Sequence, residues 1–345
     1  MSKPEIPSVP GVLSSKQCLQ TAESIAGTQL ASGAIPWSVG GHTDPWDHVE
    51  SAMALTACGL LDPAVAAYRW SAETQRPDGS WPSRFQDDRV DSDDTDTNFC
   101  AYLATGVWHH LRYTDDLAFA AEMWPTVRAA VDFVVGLQHE TGAIPWATGP
   151  GGPVSEALVT GCASMYHSIR CAVALGRRLD IDCPAWESAA DRLGDALRRW
   201  PELFTPKDRY SMDWYYPVLG GVLRGAAGHR RIAARWDEFV VGEIGIRCVA
   251  DRPWVTGAET CELVLALESL GDHARARALF GNMQHLREAD GSYWTGLVFA
   301  DGKRWPEERT TWTAAAMVLA ADALSRTTPA NGVFRDLAAD PLPVS

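Results

Sequence analysis

The chain contains no run of about eighteen apolar residues, the length at which a helix can cross a membrane. Its first residues, MSKPEIPSVPGVLSSKQ, lack the charged-then-apolar layout of a secretory signal, so a soluble, cytoplasmic protein is expected. Runs of lysine and arginine are missing too. With a formal net charge of −14, the surface repels phosphate backbones and anionic membranes, which argues against nucleic acid and membranes as partners. The eight cysteines include no CxxC pair and no Cys/His cluster at zinc spacing, and read as reduced core thiols. P-loop, GxGxxG, HExxH and GxSxG patterns are all absent. No metal and no cofactor is therefore expected. His109 and His110 are adjacent, so on a helix they face different ways and read as core residues.

What is present is a 345-residue chain with 46% hydrophobic residues, enough for a large core, and fifteen tryptophans. Several of these sit in loops beside Gly, Pro and Asp. Indoles next to carboxylates suit stacking on sugar rings, and the packing of bulky residues in a large helical fold accounts for them equally well.

A weak repeat organises the chain. QLASGAIPW (29–37), QRPDGSW (75–81), QHETGAIPW (138–146) and QHLREADGSYW (284–294) each place Gln near a helix end, then a Gly turn, then Trp. Between these marks, amphipathic stretches near 15–29, 62–75, 116–138, 184–200, 229–240 and 272–287 alternate with apolar, small-residue stretches at 49–61, 97–111, 162–176, 217–228, 261–271 and 313–324. Helices apolar all round must be enclosed, and small residues let them approach closely. The alternation predicts an all-α fold, an (α/α)6 barrel with six inner and six outer helices, in one domain spanning 1–345. No strand pairs are expected, and the ends at about 1–12 and 327–345 read as loose extensions. Nothing in the sequence opposes a homo-oligomer.

Loops leading into the inner helices converge at one mouth of such a barrel, and here they are rich in Trp, Asp, Glu and Gly. In DPWDH, Asp44 suits an N-cap, Pro45 the first helical position, and Asp47 falls at N3, where it can close a capping box or do chemistry. Trp46 and His48 flank it and are candidate substrate contacts. In RPWVTGAETCE, Thr256 and Glu259 have capping-box spacing, which leaves Glu262 one turn further into an apolar helix. A carboxylate there needs a partner, such as Arg247 or Arg252, or a task. Two carboxylates at one Trp-lined mouth are what glycoside hydrolysis requires. Further candidate sugar contacts are Asp96, also an N-cap candidate, Asp213, Trp214 and Tyr215 in SMDWYY, Trp254 beside Glu259, Trp294 in GSYW, and Glu308 in WPEERTTW.

The run TDTNFCAYLATGVWHHLRYTDDLAFAAEMWPTVRAAVDFVVGLQHETGAIPW (95–146) resembles the six-hairpin glycosidases. With DPWDHVESAMAL, SMDWYYPVLGG, RCVADRPWVTGAET and WPEERTTWTAAA, the whole chain is similar to a family of methylmannose polysaccharide hydrolases often labelled prenyltransferase from its barrel. That resemblance implies an endo-acting α-1,4-mannosidase, an inverting mechanism, a cytoplasmic polysaccharide substrate, and Asp47 and Glu262 as the catalytic pair. In six-hairpin hydrolases the earlier carboxylate is commonly the acid; a helix first turn, by contrast, favours the ionised form and would suit a base. Two alternatives stand beside this. DSDD at 91–94 matches the proton-donor pattern of class II terpene cyclases, and a glycan-binding barrel would use the aromatics without the carboxylate pair.

Overall fold

The computed structural model describes residues 5–336, and in them the predicted ring of helices is present. The helices are α1 (Ser15–Ala26), α2 (Pro45–Ala57), α3 (Leu61–Thr74), α4 (Thr97–Thr114), α5 (Leu117–Gly136), α6 (Val159–Arg178), α7 (Pro184–Arg199), α8 (Ser211–Leu219), α9 (Gly225–Ala234), α10 (Trp236–Phe239), α11 (Gly257–Leu270), α12 (His273–Asn282) and α13 (Thr311–Ser325). Helices α2, α4, α6, α8, α11 and α13 each pack on the next, and α13 packs back on α2, closing an inner ring. The outer positions belong to α1, α3, α5, α7, α9 and α12, while α10 is a single turn after α9.

Composition explains which helices are enclosed. Every residue of α2 except Trp46 is buried, as is all of α13 from Thr311 to Ala323. Gly106 of α4 lies where any Cβ would strike Val49 and Tyr68, so α2, α3 and α4 meet only because that side chain is missing.

The repeat proves to be a docking turn. Gln29 donates to the carbonyls of Gly33 and Pro63 at 2.8 and 2.9 Å, Gln75 to those of Gly79 and Thr126 at 3.0 and 2.9 Å, and Gln138 to those of Gly142 and Ala189, both at 2.9 Å. Each side-chain amide thus closes its own turn and grips the following outer hairpin. The glycines have positive φ and lie against backbone carbonyls of the next outer helix: Gly33 on Ala66, Gly79 on Ala129 and Gly142 on Arg192. In the fourth copy Gln284, in the turn just after α12, bonds back to the Phe280 carbonyl of that helix, yet Gly291 still presses on Gln20 of α1, joining the end of the barrel to its beginning.

Three expectations need correction. The stretch 217–228 is no single inner helix: α8 ends at Leu219, Gly220 is pressed on the Ala163 carbonyl, Gly221 takes φ +86, and the outer α9 starts at Gly225. Strand pairs do occur, as ten short antiparallel segments among the described residues, and the largest sheet there joins 303–304, 296–298, 254–256, 245–247 and 240–241 in that order. They are too short for any alternation to register in the sequence. The ends are not loose where described. Val9 and Leu13 are buried, and Phe334 stacks on His167 with ring centroids 5.0 Å apart while its carbonyl accepts from Arg224. The rest of those ends, 1–4 and 337–345, lies outside the described residues. Among the described residues no helix is long and apolar enough to cross a membrane.

The docking turns yield a direct test. Gly79→Ala forces a Cβ into the α5 backbone at positive φ and is expected to cost about 2 to 4 kcal/mol in urea unfolding. Gly302→Ala, also at positive φ but facing open space, should cost only the strain, about 1 to 2 kcal/mol.

Candidate active site

The first turns of the inner helices bring their polar residues to the mouth. On α2 the Asp44 carboxylate accepts the N–H groups of Trp46 and Asp47, both at 3.0 Å. The box predicted for Asp47 does not close on the Asp44 backbone; the Asp47 carboxyl bonds with the Asp44 carboxyl instead. It is buried there, and its pKa is raised well above the ordinary range, first by burial and then by Asp44, Glu50 and Glu262.

Glu262 on α11 is also buried and accepts two phenol hydroxyls, from Tyr215 and, at 2.7 Å, from Tyr216 of α8. Burial and Glu50 raise its pKa well above the ordinary range, and the two tyrosines oppose that by favouring the ionised form. The ion pair envisaged with Arg247 or Arg252 is not formed; Arg247 donates to the Glu238 carbonyl instead.

Between these two stands a third carboxyl that sequence reasoning missed. Glu50, one turn after Asp47, is buried, accepts from the Tyr102 hydroxyl at 3.3 Å, and is pushed up to about 8 by burial. The signal was available: a lone carboxylate in an apolar inner helix is the same anomaly that marked Glu262. No cation is among the main influences on Asp47, Glu50 or Glu262. The group therefore keeps itself near neutrality by holding protons.

Aromatic rings wall this cluster. Trp46 packs against Phe99, Tyr102, Tyr216 and Trp312, with centroid separations of 5.9, 5.7, 6.0 and 6.3 Å. Asp96 caps α4 by accepting from Asn98 and Phe99, and burial lifts its pKa to about 7.

Over 330 residues, 96% of this chain and 92% of its relative, the sequence is 63% identical to the MMP endo-(1,4)-3-O-methyl-alpha-D-mannosidase of Mycolicibacterium hassiacum. The chain belongs to that mannosidase family. No family model matches it. Among solved structures it is similar to a glycosidase variant in complex with glucose (TM-score 0.68, 18% identity, covering 90% of this chain and 96% of that one). It is also similar to a rhamnosidase from Klebsiella oxytoca (0.63, 14%, covering 90% and 64%) and a D-mannose isomerase (0.65, 9%, covering 91% and 99%). At these identities the likeness is one of fold.

Against this family frame, the residues singled out in the sequence divide. Asp47, Glu262, Trp46 and Tyr215 meet at the centre, and Glu259 lies beside Glu262 with one carboxyl oxygen unpartnered. The Thr256–Glu259 capping box is absent. Asp213 is buried at the start of α8, taking a 2.6 Å bond from Thr160, and burial raises its pKa. Trp214 and His48 are corrections. Trp214 is fully enclosed, stacked on Phe239 with its N–H on the Arg231 carbonyl, and offers no face to a sugar. His48 is fully enclosed as well, accepting from the Ile35 N–H at 3.0 Å and bonded at 2.9 Å to the Ala67 carbonyl. Trp254 packs on Trp305 over the five-stranded sheet. Trp294 and Glu308 line a separate cleft of about 700 Å³ between α1 and the loop 288–311, where Glu308 accepts from Trp37. The DSDD stretch is at the surface, with Asp91 paired to Arg84 and Asp93 to Arg76, far from the enclosure a cyclase acid needs.

Two outcomes are expected. Tyr216→Phe removes a donor that favours ionised Glu262, so the acidic limb of the kcat/KM profile should move to higher pH; an unmoved limb would show that Glu262 does not have to ionise. Glu50 has a folded pKa of about 8 against an ordinary 4.5, so its stabilising contribution is complete below about pH 4.5 and lost as pH rises through 8. The fall in Tm between pH 7 and 9 should be shallower in Glu50→Gln.

Proposed function

We propose that the protein is an endo-acting glycoside hydrolase that cleaves α-1,4-linked, 3-O-methylated mannose chains in the cytoplasm by an inverting mechanism, with Asp47 as acid and Glu262 as base. The observation that carries the chemistry is the buried Asp47–Glu262 pair, each carboxyl raised in pKa and neither matched by a cation. The substrate comes from the name of the mannosidase relative. All eight cysteines are free thiols, which suits a reducing compartment.

The two environments suit different roles. Asp47 is buried and bonds with the Asp44 carboxyl, and both favour its protonated form, so it can release the proton to the glycosidic oxygen as the C–O bond breaks. The two tyrosine hydroxyls favour the ionised form of Glu262, the form in which it takes the proton of the water that attacks the anomeric carbon from the opposite face. Protonated Glu262 and ionised Asp47 then exchange a proton through solvent. Glu50, neutral below about pH 8, leaves this exchange free of a further charge.

Asp47→Asn and Glu262→Gln should each lower kcat on methylated mannan by at least about a hundredfold while the polymer still binds, and the double variant should be little worse than either. NMR of the first product should show the β-anomer before mutarotation. An initial α-anomer would overturn the inverting assignment, and full turnover by either variant would overturn the pair.

A further inference from the structure

The mouth has a compartment beside the acid cluster that none of these roles uses. A pocket of about 450 Å³, within the range of small-molecule sites, opens between the hairpin 147–153 and the turn 83–96. It is bounded by Phe99, Trp146, Ala147, Val154 and Asp96. Phe99 is the link to the reacting groups, because its ring also packs on Trp46, the neighbour of Asp47. The walls are mainly carbon. Trp146 is 38% exposed, an unusual state for an indole, and its backbone rather than its ring is what the fold uses, through Thr97 and Glu156. The polar groups at the pocket's edge are Ser83, Asp94, Thr95, Asp96 and Thr148. Of these, Asp96 stands at the helix end that carries Phe99: one of its carboxyl oxygens caps α4, and the other accepts no hydrogen bond from the described residues.

The cleft on the α1 side offers the contrast. Beside apolar groups such as Ile25 and Trp294 it carries five charged residues, Glu23, Asp290, Glu307, Glu308 and Arg309, a surface for free hydroxyls. Of the two compartments, only the carbon-lined one favours a sugar in which a hydroxyl has been replaced by a methyl ether, since a methyl gains from apolar walls and would strand charged ones without their water.

We propose that this pocket binds an O-methylated hexose unit of the substrate, with the methyl group against Trp146 and Val154 and a remaining hydroxyl donating to the free oxygen of Asp96. The assignment deepens the mannosidase reading and rests on it for the identity of the sugar. It makes Trp146, Val154 and Asp96 determinants of methyl selectivity, apart from the carboxyl pair.

A monosaccharide separates binding from turnover. NMR titration with methyl 3-O-methyl-α-mannoside and with methyl α-mannoside should show the methylated sugar binding wild type about tenfold more tightly, the scale on which a carbon-lined pocket discriminates one carbon group. Trp146→Ala and Val154→Thr should each bring that ratio towards one. The second changes shape little, so a folding defect in the first does not spoil the test. Equal affinities in wild type, or an unchanged ratio in both variants, would overturn the pocket. Mass spectrometry of wild-type digests of methylated mannan reads the activity independently. Cleavage without methyl preference removes the pocket and keeps the activity, and preference without cleavage does the reverse.

Discussion

The barrel depends on backbone touching backbone at the Gly turns after its outer helices. A turn that carries no side chain can lie directly on a carbonyl of the neighbouring outer helix, and in three copies the Gln four residues earlier binds both the turn and that neighbour. Gly33, Gly79, Gly142 and Gly291 repeat this at four of the joints, the last between the end of the ring and α1. With the outer helices held in this way, the inner ones have little freedom in rotation, and their first turns are committed to the mouth. The position of Asp47 and Glu262 is in that sense a consequence of glycine.

Inside the ring the same closeness creates the electrostatic problem that the proposed chemistry uses. Three carboxyls share an enclosure walled by Trp46, Tyr102, Tyr216 and Trp312, and phenol hydroxyls rather than cations face them. An isolated charge in such a place costs several kcal/mol, more than the fold gains from any one hydrogen bond there. Holding protons is the cheaper state, and each donor offsets part of that preference. Glu262 accepts from two tyrosine hydroxyls, and Glu50 is favoured in its ionised form by Tyr102 and Trp312, while the Asp47 carboxyl bonds with the Asp44 carboxyl.

The sequence made the ring legible because enclosure leaves a strong mark: helices such as VESAMALTACGLL and TAAAMVLAADAL have almost no charge on any face. It also exposed Glu262, since a carboxylate in such a helix is an anomaly. The same anomaly at Glu50 went unread because Asp47, three residues earlier, already had a role. Tryptophan was the poorer guide. Trp46 and Trp214 both precede or follow a carboxylate in a polar entry loop, yet Trp46 walls the mouth and Trp214 is sealed against Phe239 and Arg231. Which way an indole turns depends on helix rotation within the ring, and a one-residue difference in helix start moves it by about 100°. The small sheets escaped for a related reason, because strands of two to four residues carry no period.

The helix-dipole argument for Asp47 as a base also fails for a structural reason. A first-turn carboxylate is stabilised in its charged form when it accepts the exposed N–H groups of the helix end. On α2 those groups are taken, because Asp44 binds both the Trp46 and the Asp47 N–H. Pro45, at the first position, has no N–H to offer. What remains near the Asp47 carboxyl is the negative end of its own cap, together with apolar walls, and both favour the protonated form. The residue that caps the helix thereby favours the protonated form of Asp47, which suits the acid role proposed for it. DPWDH then reads as one unit, in which Asp44 and Pro45 use up the helix terminus so that Asp47 can keep a proton.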